Sequence, residues 1–282
     1  MNTLQTTTPA RLMYLHMGSQ EPQRQIDFYQ RMMDMQCERF PDGSAVLRGP
    51  NRAVQISPAD KHGLLAAAFQ LGNKAHQAEL RQRLQERGCS VQEIMSPLLE
   101  EGSFSIQDPQ GRETIFGVAS SLHRFDLPGM PGRLQHVVFQ TTELEDMVDF
   151  YVNTVGFTIS DNVVDQETGK LMVCFLRSDD EHHSLAFFRG SKNEWDHHCY
   201  ETNEWNDIRD WGDRFAKERI SIFFGPGRHG PGNNLFFMVV DADRNRLEFS
   251  AELEMTMADQ APGKWPQSEY TLNSWGRAWI RS

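Results

Sequence analysis

Residues 11–40, RLMYLHMGSQEPQRQIDFYQRMMDMQCERF, align without gaps on residues 133–162, RLQHVVFQTTELEDMVDFYVNTVGFTISDN, an offset of 122. Arg11-Leu12 falls on Arg133-Leu134, and Asp27-Phe28-Tyr29 falls on Asp149-Phe150-Tyr151. A repeat of this length means one structural unit built twice. Each copy reads as a short strand, a polar joint and a helix of about three turns. In the second copy Leu144, Met147, Val148 and Tyr151 keep the i, i+3, i+4, i+7 spacing of one apolar helix face. Thr142 and Glu145 have the spacing of a capping box at its start.

The halves continue in parallel. SAVLRGPNRAVQISP and LMVCFLRSDDEHHSLAFF read as hairpins, apolar runs broken by turn residues. Helices are expected over roughly 75–87 and 203–218. Each half then closes on strands around an Asp-led turn, FSIQDPQGRETIFGV and LFFMVVDADRNRLEFSAEL. The Gly/Pro-bearing stretch 120–133 reads as a linker. The expectation is an α+β chain of two domains, residues 1–122 and 130–282, which suits a length of 282 residues. The tail from Pro262 carries three tryptophans and is expected to pack back on the body.

A net charge of −11 disfavours nucleic acid or an anionic membrane surface as partner. No apolar run has the length of a membrane span, and MNTLQTTTPARL lacks a signal-peptide core. Cys37, Cys89, Cys174 and Cys199 are scattered without CxxC spacing, which suggests neither a disulfide framework nor a structural zinc site. A reduced, cytoplasmic protein is expected. GPGRHG matches a dinucleotide-binding pattern by letter, but a strand rather than a helix follows it.

The histidines carry the chemistry. There are ten, and EHHSLAFFRGSKNEWDHHCY (181–200) holds two His-His pairs. With LQHVVF, GPGRHGPGNN and DADRNRLEF, these segments resemble the type I extradiol ring-cleaving dioxygenases of the vicinal oxygen chelate superfamily, over nearly the whole chain. The resemblance implies two tandem vicinal oxygen chelate domains, each a pair of βαβββ modules forming a sheet curled around a funnel. It implies metal ligands His136, His198 and Glu248 in the second domain, holding Fe(II), with Mn(II) the alternative. It implies His183, fifteen residues before His198, as the acid-base group, and His229 as a group supporting bound substrate. The expected reaction is O2-dependent cleavage of a catechol-type diol beside its hydroxyls, in aromatic catabolism, by a homo-oligomer. Two imidazoles and one carboxylate leave three metal positions open, as non-heme Fe(II) oxygenases require. An imidazole can take and return a proton near neutral pH.

His182 and His197 alternate with those residues and are expected to face away as surface or sheet-packing side chains. The N-terminal copy has Tyr14 where the second has His136, Ile115 near the place of Glu248, and the apolar stretch GLLAAAFQLGN where the second has the His-His pair with His198. It is therefore expected to be metal-free and structural. One departure bears on the reaction. Met238 stands where the resemblance places a tyrosine, and a thioether cannot donate a proton. In the turn that follows, Ala242 and Arg244 replace the family's Pro and Gly. A non-oxidative metal enzyme of the glyoxalase or lyase kind, or a binding protein without turnover, are the alternatives this leaves open.

Overall fold

The computed structural model describes residues 9–120 and 127–277. The first eight residues, the centre of the expected linker and Trp279 of the tail lie outside the described residues.

The first half runs β1 (Ala10–Ser19), α1 (Pro22–Met32), β2 (Gln36–Arg39), β3 (Ala45–Gly49), β4 (Arg52–Pro58), β5 (Gly63–Leu71), α2 (Lys74–Glu86), β6 (Gln92–Glu93), β7 (Phe104–Gln107) and β8 (Glu113–Val118). The second half runs β9 (Arg133–Thr141), α3 (Leu144–Asp149), β10 (Thr158–Val164), β11 (Leu171–Arg177), β12 (Leu185–Arg189), β13 (Glu194–Glu201), α4 (Trp205–Lys217), β14 (Phe224–Arg228), β15 (Leu235–Val240), β16 (Arg246–Ala251), β17 (Gly263–Pro266) and α5 (Glu269–Leu272). The strand orders are β2-β3-β4-β1-β5-β8-β7-β6 and β14-β15-β16-β13-β9-β12-β11-β10-β17. Each sheet thus places the opening strands of its two βαβββ modules side by side and antiparallel at its centre. This is the expected α+β architecture of tandem vicinal oxygen chelate modules. The second sheet gains β17, which adds to β10 in parallel.

The helices form for local reasons. Helix α1 begins with Pro at its first turn and buries Ile26, Phe28, Tyr29 and Met32 on one face. In α2 the Asn73 side chain caps the His76 N–H. Helix α4 turns Ile208, Trp211 and Phe215 into the core. The capping box expected at Thr142 does not form. Helix α3 starts after Glu143 without a side-chain cap, because the Thr142 hydroxyl donates to Asn193 instead. From Phe150 to Val155 the helix widens into a π-helical turn, closed by Gly156 at φ 95°.

Beside β1 and β5, the first sheet encloses Met13, Tyr14, Val46, Ala53, Leu98 and Ile115, which pack as one buried apolar cluster. The larger core runs on from one half into the other: Phe69 packs edge-on against Phe157 with centroids 5.4 Å apart, and Thr114 hydrogen-bonds the Tyr151 hydroxyl at 2.9 Å. Among the described residues no helix is long and apolar enough to cross a membrane.

Candidate metal centre

The pairing of three adjacent strands aims one set of side chains at one point. In β13, His197 lies opposite Val138 and Cys199 opposite His136 of β9. In the parallel pair β13–β16, Cys199 aligns with Glu248, and in β15–β16 Met238 aligns with Glu248. Side chains alternate across a strand, so His136, His197, Cys199, Met238 and Glu248 share one face. Donor atoms of His136, Cys199 and Glu248 lie within 4.8 Å of one another, and His197 Nε2 is 3.4 Å from Glu248 Oε2.

The structure therefore moves one expected ligand by one residue. His198 lies opposite Val137 on the other face of β13, stacks on Trp195 and contacts the Tyr29 hydroxyl through Nε2 at 3.3 Å. His197, expected to face away, is the member of the pair that faces the site. Alternation fixes only that one of the two points inward. The pairing of β13 with β9 fixes which, and a bulge between Trp195 and His197 shifts that register. In the other pair His182 stays out of the cavity, as expected, but is not a surface side chain. His182 and His183 precede β12 in irregular backbone, where alternation does not apply, and both are buried.

The outward ring nitrogens of both inward-facing histidines are engaged. His136 Nδ1 is 2.5 Å from the Gln135 side-chain oxygen, and His197 Nδ1 is 2.5 Å from Asp196, itself held by Arg246. Engaging Nδ1 outward leaves Nε2 as the ring nitrogen free for a metal, the arrangement typical of metal-ligating histidines. Burial, with its neighbouring histidines, holds His136 well below the usual imidazole range. Burial would raise the Glu248 carboxyl, but the His229, His197 and His183 rings outweigh it and leave the group below its ordinary value, ionised. Burial pushes the Cys199 thiol well up, and its sulfur donates to Ser250 Oγ at 3.2 Å. Two imidazoles and one carboxylate are a donor set that fits a divalent Fe or Mn ion, whereas a thiolate suits softer metals.

Around this set lies a cavity. His183 packs beside His136 with centroids 4.3 Å apart, and burial holds it well below the usual imidazole range. His229 stacks flat on Phe236, with centroids 3.8 Å and planes 4° apart. Its Nδ1 donates to the Leu272 carbonyl at 2.5 Å, and its Nε2 lies 3.7 Å from Glu248 Oε1. Asn234 donates to the same oxygen at 3.2 Å. The walls are apolar, with Val138, Val173, Phe175, Ala186, Phe188 and Met238 prominent. Thr271 and Leu272 of α5 form the roof. Among the described residues the one arginine or lysine lining it, Arg189, is paired with Glu145 and the Leu171 carbonyl. The turn that presents Glu248 survives its substitutions: Asp241 accepts the Asp243 and Asn245 N–H groups, and Arg244 adopts φ 68° where the resemblance places glycine. Sequence reading missed His197, Cys199, Gln135, Asn234 and the buried His182. Only the His-His doublet itself signalled the first and last.

The fold is that of a vicinal oxygen chelate domain with donor atoms placed so that they could hold a metal. Residues 133–249 match the family model of the Glyoxalase/Bleomycin resistance protein/Dioxygenase superfamily, so the chain carries a domain of that superfamily. The chain is 29% identical over 153 residues to Metapyrocatechase 2 of Cupriavidus necator, a match covering 52% of this chain and 45% of that relative. It thus spans about half the length of that curated relative. It is 26% identical over 225 residues to an iron-dependent extradiol dioxygenase of Rhodococcus jostii strain RHA1, covering 72% of this chain and 74% of that one. The solved Mn(II)-bound glyoxalase of Novosphingobium aromaticivorans shares the fold, with a TM-score of 0.80, 23% identity, and coverage of 95% of this chain and 91% of that chain.

Proposed function

We propose that this protein is an Fe(II)-dependent extradiol dioxygenase that opens a catechol-type ring beside its hydroxyls with O2. The observation that carries the reading is His183, a buried imidazole in contact with His136 at the edge of the donor set. An imidazole there suits a reaction that takes a proton from a bound diol and returns it later. The names of the two curated relatives support the same chemistry.

His136, His197 and Glu248 would hold the iron. When bound, it supplies a shared site for both substrates and a route for electron density from diolate to O2. The chain's residues do the rest. The apolar walls exclude water from the ring. His183 takes a hydroxyl proton as the diol binds and returns it later. His229, fixed by the Leu272 carbonyl and Phe236, presents Nε2 toward the substrate oxygens. With Arg189 paired and the walls apolar, the cavity as formed by the described residues favours a diol bearing an apolar substituent. Met238 leaves the substrate without a phenolic donor, which favours diols with an acidic hydroxyl. Domain 1–122, whose corresponding cavity is filled by Tyr14 and Ile115, serves as a structural partner.

The second reading, a non-oxidative enzyme on the same metal, is favoured by Met238 alone. Anaerobic iron loading followed by oxygen uptake on a diol panel separates the two. One O2 consumed per diol with a yellow ring-opened product is expected. Stoichiometric iron without uptake on any diol would transfer the assignment to the non-oxidative reading.

A further inference from the structure

His182 does not line the cavity, yet it is 1% exposed and wedged behind His183. Its Nδ1 lies 3.0 Å from His183 Nδ1, with the two rings perpendicular at 89°. On its far side Nε2 is 3.1 Å from Asp161 Oδ2, off the line of the ring N–H. Asp161 is itself buried and is held from β17, by the Gly263 N–H at 2.9 Å and the Trp265 indole N–H at 2.6 Å. Phe175 contacts both imidazoles, at 5.6 and 5.0 Å between centroids, and the backbone N–H of His182 donates to the Glu254 carbonyl at 2.9 Å. Nothing about sheet packing requires an Asp-His-His chain in an apolar setting, where each polar group would cost free energy if left unmatched.

We propose that His182, backed by Asp161, is a positioning residue that fixes the tautomer and orientation of His183. The inference rests on the reading of His183 as the acid-base group. A carboxylate disfavours a facing lone pair, so Asp161 places the single proton of neutral His182 on Nε2 and leaves Nδ1 bare. A bare nitrogen only accepts, so the proton between the rings belongs to His183 Nδ1. Neutral His183 has one N–H. Its Nε2 is therefore bare and is the nitrogen left to the cavity, the form that can take a proton from a diol. Without His182 the two tautomers of His183 interconvert, and one of them offers the substrate an N–H instead of a base. The strand β17 enters the same chain through Asp161, so the segment leading to the roof also sets the base.

The test uses the full-length chain labelled with 15N-histidine, without added metal. Long-range 1H–15N spectra should show His183 protonated on Nδ1 and bare on Nε2, with the converse for His182. His182→Leu should leave His183 as a tautomer mixture, and His182→Asn, whose amide oxygen can accept near the old Nδ1, should restore the single form. In iron-loaded enzyme His182→Leu should lower kcat by about 10–100-fold, the usual effect of losing such a partner, with KM unchanged, and His182→Asn should recover most of it. His183 protonated on Nε2 in the parent protein overturns the proposal. So does a kcat equally low in both variants, which would mean that only ring shape matters. If His182→Leu fails to fold, Asp161→Asn carries the same spectroscopic reading. If the spectra behave as expected but no diol consumes oxygen, the reaction assignment falls while the tautomer relation stands.

Discussion

His197 and His198 are neighbours in sequence and strangers in space. His197→Asn should abolish stoichiometric Fe(II) binding, read as iron per chain after gel filtration, because it removes one of the three proposed ligands. His198→Asn should keep the iron and lose roughly 1–3 kcal/mol of stability through the contacts with Tyr29 and Trp195. The reverse pattern would restore the sequence expectation. Glu201 gives a pH prediction of known sign. Burial raises its carboxyl to about 7, against the lowering effect of the Ser250 hydroxyl and the Leu253 N–H. A carboxyl raised on folding binds its proton more tightly in the native state, so its stabilising protonation is complete below about 4.5 and lost as pH rises through about 7. Against Glu201→Gln as reference, the parent protein should gain on the order of 2 kcal/mol from pH 8 to pH 5, measured by denaturant unfolding at both. The residue scale is also where sequence was least legible. The structure brings His136, His183, His229 and Glu248 to one cavity, and the resemblance pointed to all four because it runs over whole segments. The choice within HHCY was hidden because a fifteen-residue spacing fits both His182 to His197 and His183 to His198. Only cross-strand register, with its bulge at Trp195–His197, breaks the tie.

Strands and helices were far easier to read. The helices expected at roughly 75–87 and 203–218 run over 74–86 and 205–217, and both expected hairpins form as β3–β4 and β11–β12. Their periodicity is carried by many residues at once, so one misread position does not move them. What periodicity could not show is that α3 turns π-helical, since this depends on how its last turn meets Gly156. On the proposed function, substrate choice falls to strands β11 and β12, whose Val173, Phe175, Ala186 and Phe188 form an apolar wall. Val173→Lys, at a half-buried position, should shift the preference toward carboxylated diols over alkyl- or aryl-substituted ones by about tenfold in relative kcat/KM. An unchanged ratio would mean that the substituent lies against another wall.

The molecule as a whole is held by the packing of its two sheets on one core, and the repeat at an offset of 122 announced the doubling without showing how the copies meet. Arg52 is fully buried at that junction. Its guanidinium donates to the carbonyls of Met33, Met130 and Gly132, and lies 5.5 Å from the Trp211 ring. No hydropathy pattern anticipates a buried arginine, because its partners are backbone oxygens far away in sequence. Arg52→Met keeps the stem and strands those oxygens. It should cost on the order of 3 kcal/mol and lower the melting temperature of both halves together in one calorimetric transition. Two separated transitions would show the sheets to be independent.

Strand β17 also bears on how a shortened chain would behave. It covers the outer edge of β10, and the segment after it roofs the cavity. A chain cut just before Gly263 would keep nearly every core residue, yet it would expose an unpaired strand edge beside an open apolar hollow. Such a product should self-associate and be drawn to holdase chaperones, so a nick that spares the metal ligands would still remove the protein from circulation.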